Sequence, residues 1–363
     1  MKIAPITRMF LRLVLAILTA GVAAYYFATK ESIDTGKLQR NVVDLHIHTM
    51  CVEPDTSPCY ISPAYRNSFK AKVLEQGFRS IVNQGESKGV TFSASIARAI
   101  RESKYVSKGV ILALDGVVTN GKLDLSKTQL YIPNKLVAKD AKAHPELLFG
   151  ASINPERHDW QERLDEAVQQ GAQLIKWLPS IQLFDPADVK HTAFYKEMAR
   201  LKLPLLTHTG DEEAFIESNN IWTHPQRLRL PLSLGVTVIA AHAGVPGKSA
   251  DESYTDSLAK LTKEFPNLYL DISSLSQINK IPYWDQVFSN KSIEGRLVQG
   301  SDFPLIATLL VSPFHSPHKL SLGQIKSIQS QDNIFDRGVM YKVALGVPPR
   351  VFNKGRSLLR AFR

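Results

Sequence analysis

Two histidines one residue apart, His46 and His48, close an apolar run that begins at Val42-Val43. On a strand, residues two apart point to the same side, so both imidazoles can reach one cation. Imidazole suits zinc, iron or another borderline divalent metal. Four more residues with useful chemistry close later apolar runs. Lys176 follows Leu174-Ile175, and His208 closes the run from Leu203 to Thr207. His242 closes the run from Val236 to Ala241, and Asp302 follows Leu297-Val298-Gln299-Gly300-Ser301. The expected metal ligands are His46, His48, His208, Asp302 and Lys176. A bound divalent metal lowers the pKa of its water to roughly 7. Asp302 can take a proton from that water and return it to a leaving group. His242 has two open roles. It binds a second ion in a two-metal site, or polarises the substrate and moves protons in a one-metal site. Asp44 lies on the same face two residues earlier and is assigned to buried hydrogen bonding. Asp115 and Asn154, after the second and third strand candidates, are weaker candidates for substrate contact that compete with turn and cap roles. His144, His158 and His191 lie far from strand ends and are read as surface residues.

Something must bring these residues to one place. Lys176 and His208 are 32 residues apart, His208 and His242 are 34 apart, and His242 and Asp302 are 60 apart. One βα unit needs about 30 residues, so the ligands fall on strands one, four, five, six and eight of a repeating array. Val110–Asp115, Leu147–Ile153 and Leu268–Ile272 supply the second, third and seventh strands. All are short apolar runs bounded by turn residues, as parallel strands buried on both faces should be. Asp44 to Asp302 spans 258 residues, close to the ~250 that eight units require. The expected fold is an α/β (β/α)8 TIM barrel, whose strand C-terminal ends converge on one face. Between the first two strands, Phe69–Lys108 reads as helical, with Val73, Leu74, Phe78 and Ile81 at helical spacing. Asp159–Gly171 reads as a helix stopped by glycine, and Phe194–Leu201 as another.

The order His-x-His, Lys, His, His, Asp resembles the amidohydrolase superfamily of metal-dependent hydrolases. Five later segments resemble one branch more closely, the one that includes aminocarboxymuconate-semialdehyde decarboxylase and related hydrolases. They are Ala151–Pro155, Gly171–Pro179, Leu206–Gly210, Ala240–Gly244 and Gly300–Pro304. The resemblance covers roughly residues 43–350. It implies a barrel holding one or two divalent ions, most often zinc. It also implies that Lys176 is either carboxylated and bridging two ions or unmodified beside one. The branch contains hydrolases, lactonases and decarboxylases, so family alone does not fix the reaction.

The ends of the chain depart from that pattern. The first residues carry Lys2, Arg8 and Arg12 with no acid before Glu31, and Leu13–Thr29 is almost entirely apolar or small. Residues 1–30 are therefore expected to form a membrane anchor or a signal segment, with Val22-Ala23-Ala24 as a weak cleavage site. Either reading puts the rest of the chain outside the cytoplasm, on the periplasmic side if anchored and secreted if cleaved. Residues 31–42 read as a linker, 43–349 as the barrel and 350–363 as a basic tail. The net charge is +10, of which the two ends supply +9. The remainder is near neutral, and no nucleic-acid motif is present. The tail pairs its charges with Val351, Phe352, Leu358, Leu359 and Phe362, which suits a final helix packed on the barrel or one lying on an anionic membrane. Cys51 and Cys59 are the only cysteines; a loop disulfide is expected outside the cytoplasm. There is no phosphate loop and no Gly-x-Ser-x-Gly turn. The expected function is hydrolysis of an amide, ester or lactone carbonyl in a small-molecule substrate by metal-activated water. Metal-dependent non-oxidative decarboxylation of a small carboxylic acid is the alternative, and a non-catalytic membrane-associated binding barrel is the third reading.

Overall fold

The computed structural model describes residues 5–36, 38–53, 55, 57–82, 91–250 and 252–362. Lys2 and Arg363, counted in the terminal charges above, lie outside them, as does 83–90 within the helical stretch before the second strand. Eight parallel strands form one sheet in sequence order: β1 Val42–His48, β2 Val106–Leu112, β3 Leu147–Ala151, β4 Leu174–Trp177, β5 Leu205–Thr207, β6 Val238–Ala240, β7 Leu268–Asp271 and β8 Leu297–Val298. The sheet closes on itself. Leu45 N–H donates to Gln299 O at 3.2 Å, Asp302 N–H to His46 O at 2.8 Å and His48 N–H to Phe303 O at 2.8 Å. Each expected strand is present, most with a shorter regular core than the apolar run suggests; β2 is the exception, starting at Val106 within the stretch expected to be helical rather than at Val110.

Helices cover the outside. Besides the short helices Pro63–Asn67 and Pro179–Gln182, in chain order they are α1 Pro5–Phe27, α2 Phe69–Arg79, α3 Ser93–Arg101, α4 Asn134–Ala143, α5 Trp160–Gln169, α6 Thr192–Arg200, α7 Arg229–Ser233, α8 Tyr254–Glu264, α9 Trp284–Phe288, α10 Leu322–Gln329, α11 Ile334–Ala344 and α12 Pro349–Lys354. After α5 the chain reverses at Gly171, whose φ of +88° suits a residue without Cβ.

Inside the barrel, every strand contributes to one apolar cluster. Val43, Leu45, Val110, Leu112, Leu174, Leu206, Ile239 and Val298 are fully buried, and Leu148 and Tyr269 pack against them. Leu358 and Leu359 from the C-terminal tail join the same cluster, so the tail plugs the end of the barrel opposite the strand C-termini. Of the two readings of the basic tail, packing on the barrel is the one found. Arg350 pairs with Glu294, and Arg360 donates to Ala172 O at 3.4 Å.

Residues 31–42 are docked rather than free. Arg40 donates to Ser103 O at 2.9 Å and to Arg101 O at 3.0 Å, and Leu38 is buried. Glu31 O accepts from Ser327 Oγ at 2.6 Å. α1 forms as a helix, but among the described residues no helix is long and apolar enough to cross a membrane. Cys51 and Cys59 form the expected disulfide across the loop after β1.

Candidate active site

The alternation that builds the apolar interior also builds the polar mouth. Side chains two apart on a strand share a side. Leu174 therefore leads to Lys176, Leu206 to His208, Tyr269 to Asp271, and Val298 by two such steps to Asp302. In β1 the register with β2 shifts between Asp44 and Ile47. Three steps on β1 face two on β2, which is a β-bulge. It lets Leu45 join the inner cluster and Ile47 the outer one, while His46 and His48 turn to the mouth. His242 is brought in differently: it and Ala243 adopt left-handed φ values of +59° and +49°. Asp302 and Ser274 share that conformation at +59° and +60°. Such backbone is costly for residues with a Cβ and concentrates at functional sites.

His46, His48 and Asp302 converge. The Nε2 atoms of the two histidines are 3.2 Å apart, and Asp302 Oδ1 lies 3.1 Å from His48 Nε2 and 3.4 Å from His46 Nε2. Their ligand atoms all fall within 4.8 Å of one another. Lys176 Nζ donates to His46 Nε2 at 2.8 Å. His208 faces the same cavity but does not join the tight set; its ring centroid is 4.9 Å from that of His242. Its Nε2 is buried and has no hydrogen-bond partner among the described residues.

Hydrogen counting fixes the tautomers. His46 Nδ1 donates to Asp271 Oδ2 at 2.7 Å, so its Nε2 presents a lone pair. Ser273 Oγ gives its proton to Asp271 Oδ1 at 2.5 Å, so His242 Nδ1 is the donor to Ser273 Oγ, at 2.8 Å. His242 Nε2 is then an acceptor. A second convergence, of His46, His242 and Asp271, is thereby a filled hydrogen-bond network. Burial lowers His48, and lowers His208 and His242 well below the ordinary imidazole value, so these rings stay neutral. Burial by itself would raise Asp302, but the charge that His46 and His242 carry when protonated, with the His48 hydrogen bond, outweighs it and holds the carboxyl well below its usual range. Burial takes the Lys176 ammonium down to about 8. Neutral imidazole nitrogens, one carboxylate and an orphaned buried nitrogen form a donor set that fits a divalent cation.

Asp44 is fully buried below this set, where Oδ1 accepts from His46 N–H at 3.1 Å and Ser301 N–H at 2.9 Å. It ties β1 to β8, as expected. Asp115 and Asn154 need correction, because neither lines the cavity. Asp115 is held by the Arg157 guanidinium at 2.6 and 2.5 Å and accepts from Asn154 N–H at 2.8 Å. The Asn154 amide donates to Gly116 O and Gln182 O, both at 3.0 Å. Both side chains are spent on joining loops. His191 is also corrected: it is buried, 3.3 Å from Glu156.

Four residues near the site were not singled out from sequence. Asp271 and Ser273 orient the histidines. Glu212 is buried 3.4 Å from His208 Nδ1, with its carboxyl pushed up by burial. Lys280 lines the cavity, is pushed down by burial, and has no ion pair within 4.0 Å among the described residues. Asp271 had the signal of a strand end; Glu212 and Lys280 lie in loops, where no periodicity points inward. The cavity above these groups has a volume of about 410 Å³.

A family model described as amidohydrolase matches residues 113–308, more than half of the chain. This chain belongs to the amidohydrolase family. The match makes it an enzyme of a metal-dependent family. Two solved structures agree on the fold of this amidohydrolase. One is an uncharacterised TIM-barrel protein from Bordetella bronchiseptica, at 15% identity and a TM-score of 0.51, covering 84% of this chain and 97% of that one. The other is a candidate 2-pyrone-4,6-dicarboxylic acid hydrolase from Pseudomonas putida, at 14% identity and a TM-score of 0.52, covering 88% and 98%. No curated protein matches the sequence.

Proposed function

We propose that this amidohydrolase is a zinc-dependent hydrolase of an amide, ester or lactone carbonyl, held at a membrane on the extracytoplasmic side. The observation that carries the reading is the convergence of His46 Nε2, His48 Nε2 and Asp302 Oδ1 beside the unpartnered His208 Nε2. These four residues would hold one cation, with Lys176 unmodified and its hydrogen bond to His46 Nε2 given up to the ion. A divalent ion bound there polarises a carbonyl and activates water. Asp302, ionised and fixed by Ser274, takes the proton of the attacking water and returns it to the leaving group. His242 Nε2 is an acceptor, so it serves proton movement rather than oxyanion binding. The ammonium groups of Lys176 and Lys280 are the donors available to a developing oxyanion.

The location has its own support. The Cys51–Cys59 disulfide suits an oxidising compartment. α1 keeps Phe10, Leu13, Leu15, Leu18, Val22, Tyr26 and Phe27 exposed. At 100° per residue these side chains surround the helix axis, a pattern suited to an apolar medium rather than water.

Lys280 favours a second reading, decarboxylation, because an unpaired ammonium in the cavity can hold a substrate carboxylate. The two readings separate on the Asp302→Asn variant of the zinc-loaded enzyme. Hydrolysis predicts that zinc is retained and turnover of carbonyl substrates falls at least about a hundredfold. Near-parental turnover removes Asp302 from the mechanism. Carbon dioxide release from aromatic or unsaturated acids by the parent enzyme, with no ester or lactone turned over, replaces hydrolysis by decarboxylation.

A further inference from the structure

The mouth of the cavity is rimmed by apolar side chains that a water-facing entrance does not need. Phe69 at the start of α2 is 81% exposed and Leu309 is 87% exposed, with Ile278 and Leu310 exposed beside them. Phe69, Ile278 and Leu310 also line the cavity. Ile278 N–H donates to Leu310 O at 2.9 Å, so the loops after β7 and β8 present these residues together. Deeper walls are apolar as well, through Leu74, Phe78, Ile132 and Leu178. The ionisable groups His46, His48, Lys176, His208, His242 and Asp302 gather at the floor, while Lys70, Glu213 and Asn279 are polar lining residues at the exposed edge. Exposed apolar side chains grouped at an entrance mark an interaction surface.

The rim is continuous with α1. Four residues beyond Leu310, the Phe314 ring packs on Tyr25 at the foot of α1, with centroids 5.1 Å apart. Four residues span at most about 14 Å, so the helix leaves the barrel beside the entrance. The junction is fixed: Lys326 Nζ, on α10, donates to Tyr26 O at 2.6 Å and Ala28 O at 2.8 Å. The paired tyrosines at this junction are the residue type enriched where a bilayer meets water. One apolar medium can therefore cover both the helix and the rim.

We propose that the barrel mouth faces a lipid bilayer, and that the substrate is an amphiphile whose apolar chain lies between α2 and the loops after β7 and β8. Its carbonyl then reaches His48 and Asp302 at the floor. The substrate class rests on the hydrolase reading, whereas the membrane-facing mouth does not. Leu309 and Ile216 are exposed and precede or follow the lining residues Leu310 and Phe215 in sequence, but do not line the cavity themselves, so they can be changed without touching the site.

The test uses the full zinc-supplied chain. With 4-nitrophenyl esters, kcat/KM should rise about fourfold per buried methylene, hence by up to about 250-fold from butanoate to octanoate. The double variant Leu309→Glu, Ile216→Glu should turn over butanoate in solution like the parent. On 4-nitrophenyl dodecanoate carried in phosphatidylcholine–phosphatidylglycerol vesicles it should lose on the order of tenfold, because charges now meet the bilayer. Independently of turnover, an environment-sensitive fluorophore on Leu309→Cys should shift to the blue when vesicles are added. That shift without turnover of any ester rejects the hydrolase reading and keeps the membrane-facing mouth. Equal turnover of butanoate and octanoate overturns the substrate class. No blue shift overturns the membrane face, and a shift already present without vesicles, together with a dimer mass, assigns the rim to a second copy instead.

Discussion

Asp271 does not line the cavity, yet it decides what His46 can do. By accepting the Nδ1 proton it aims the Nε2 lone pair at the mouth. Carboxylate partners of this kind raise ligand basicity and hold the ring, and their loss typically costs 10- to 100-fold in metal affinity. Asp271→Asn should therefore weaken zinc binding by about that factor in a chelator competition; unchanged affinity would leave Asp271 a purely structural residue. The convergent residues were legible from sequence because each ends an apolar run and bears unusual chemistry for a strand end. Asp271 was not, since one carboxylate after Leu268-Tyr269-Leu270 reads equally as a cap. Lys280 and Glu212 come from loops whose paths are set by packing. Asp115 misled because its position after a strand is right for a substrate contact, while its carboxylate is already taken by Arg157, whose approach depends on a distant loop.

The elements were more legible than their ends. All eight strands follow from short apolar runs at roughly regular intervals, because a strand buried on both faces tolerates little else. The helices expected before β4, from its glycine stop, and before β5 are found to within about two residues. What periodicity misses is the bulge in β1, which has no glycine or proline to mark it, and the destination of the tail. Leu358 and Leu359 look like one face of any terminal helix, but only the closed barrel supplies the hole they fill. Leu359 is fully buried there. Leu359→Ala should lower unfolding stability by about 2–5 kcal/mol, read from the denaturant midpoint, as for other large-to-small core changes. A loss below about 1 kcal/mol would mean the tail can leave the barrel at little cost.

At the scale of the molecule, charge and chemistry fall into one arrangement. The positive charge sits at the two ends, one docked under the barrel and the other leading into a helix with apolar side chains on every side. Between them lies a barrel whose interior is apolar at the tail end and polar at the mouth. Everything proposed for that mouth depends on a cation at His46, His48 and Asp302, with the unpartnered His208 Nε2 as the further ligand. The direct measurement is zinc per chain, by elemental analysis of the full protein expressed with zinc and without chelator. The account predicts about one ion per chain, lost from the folded His48→Ala variant. A folded parent chain that binds no metal even with zinc supplied would contradict it.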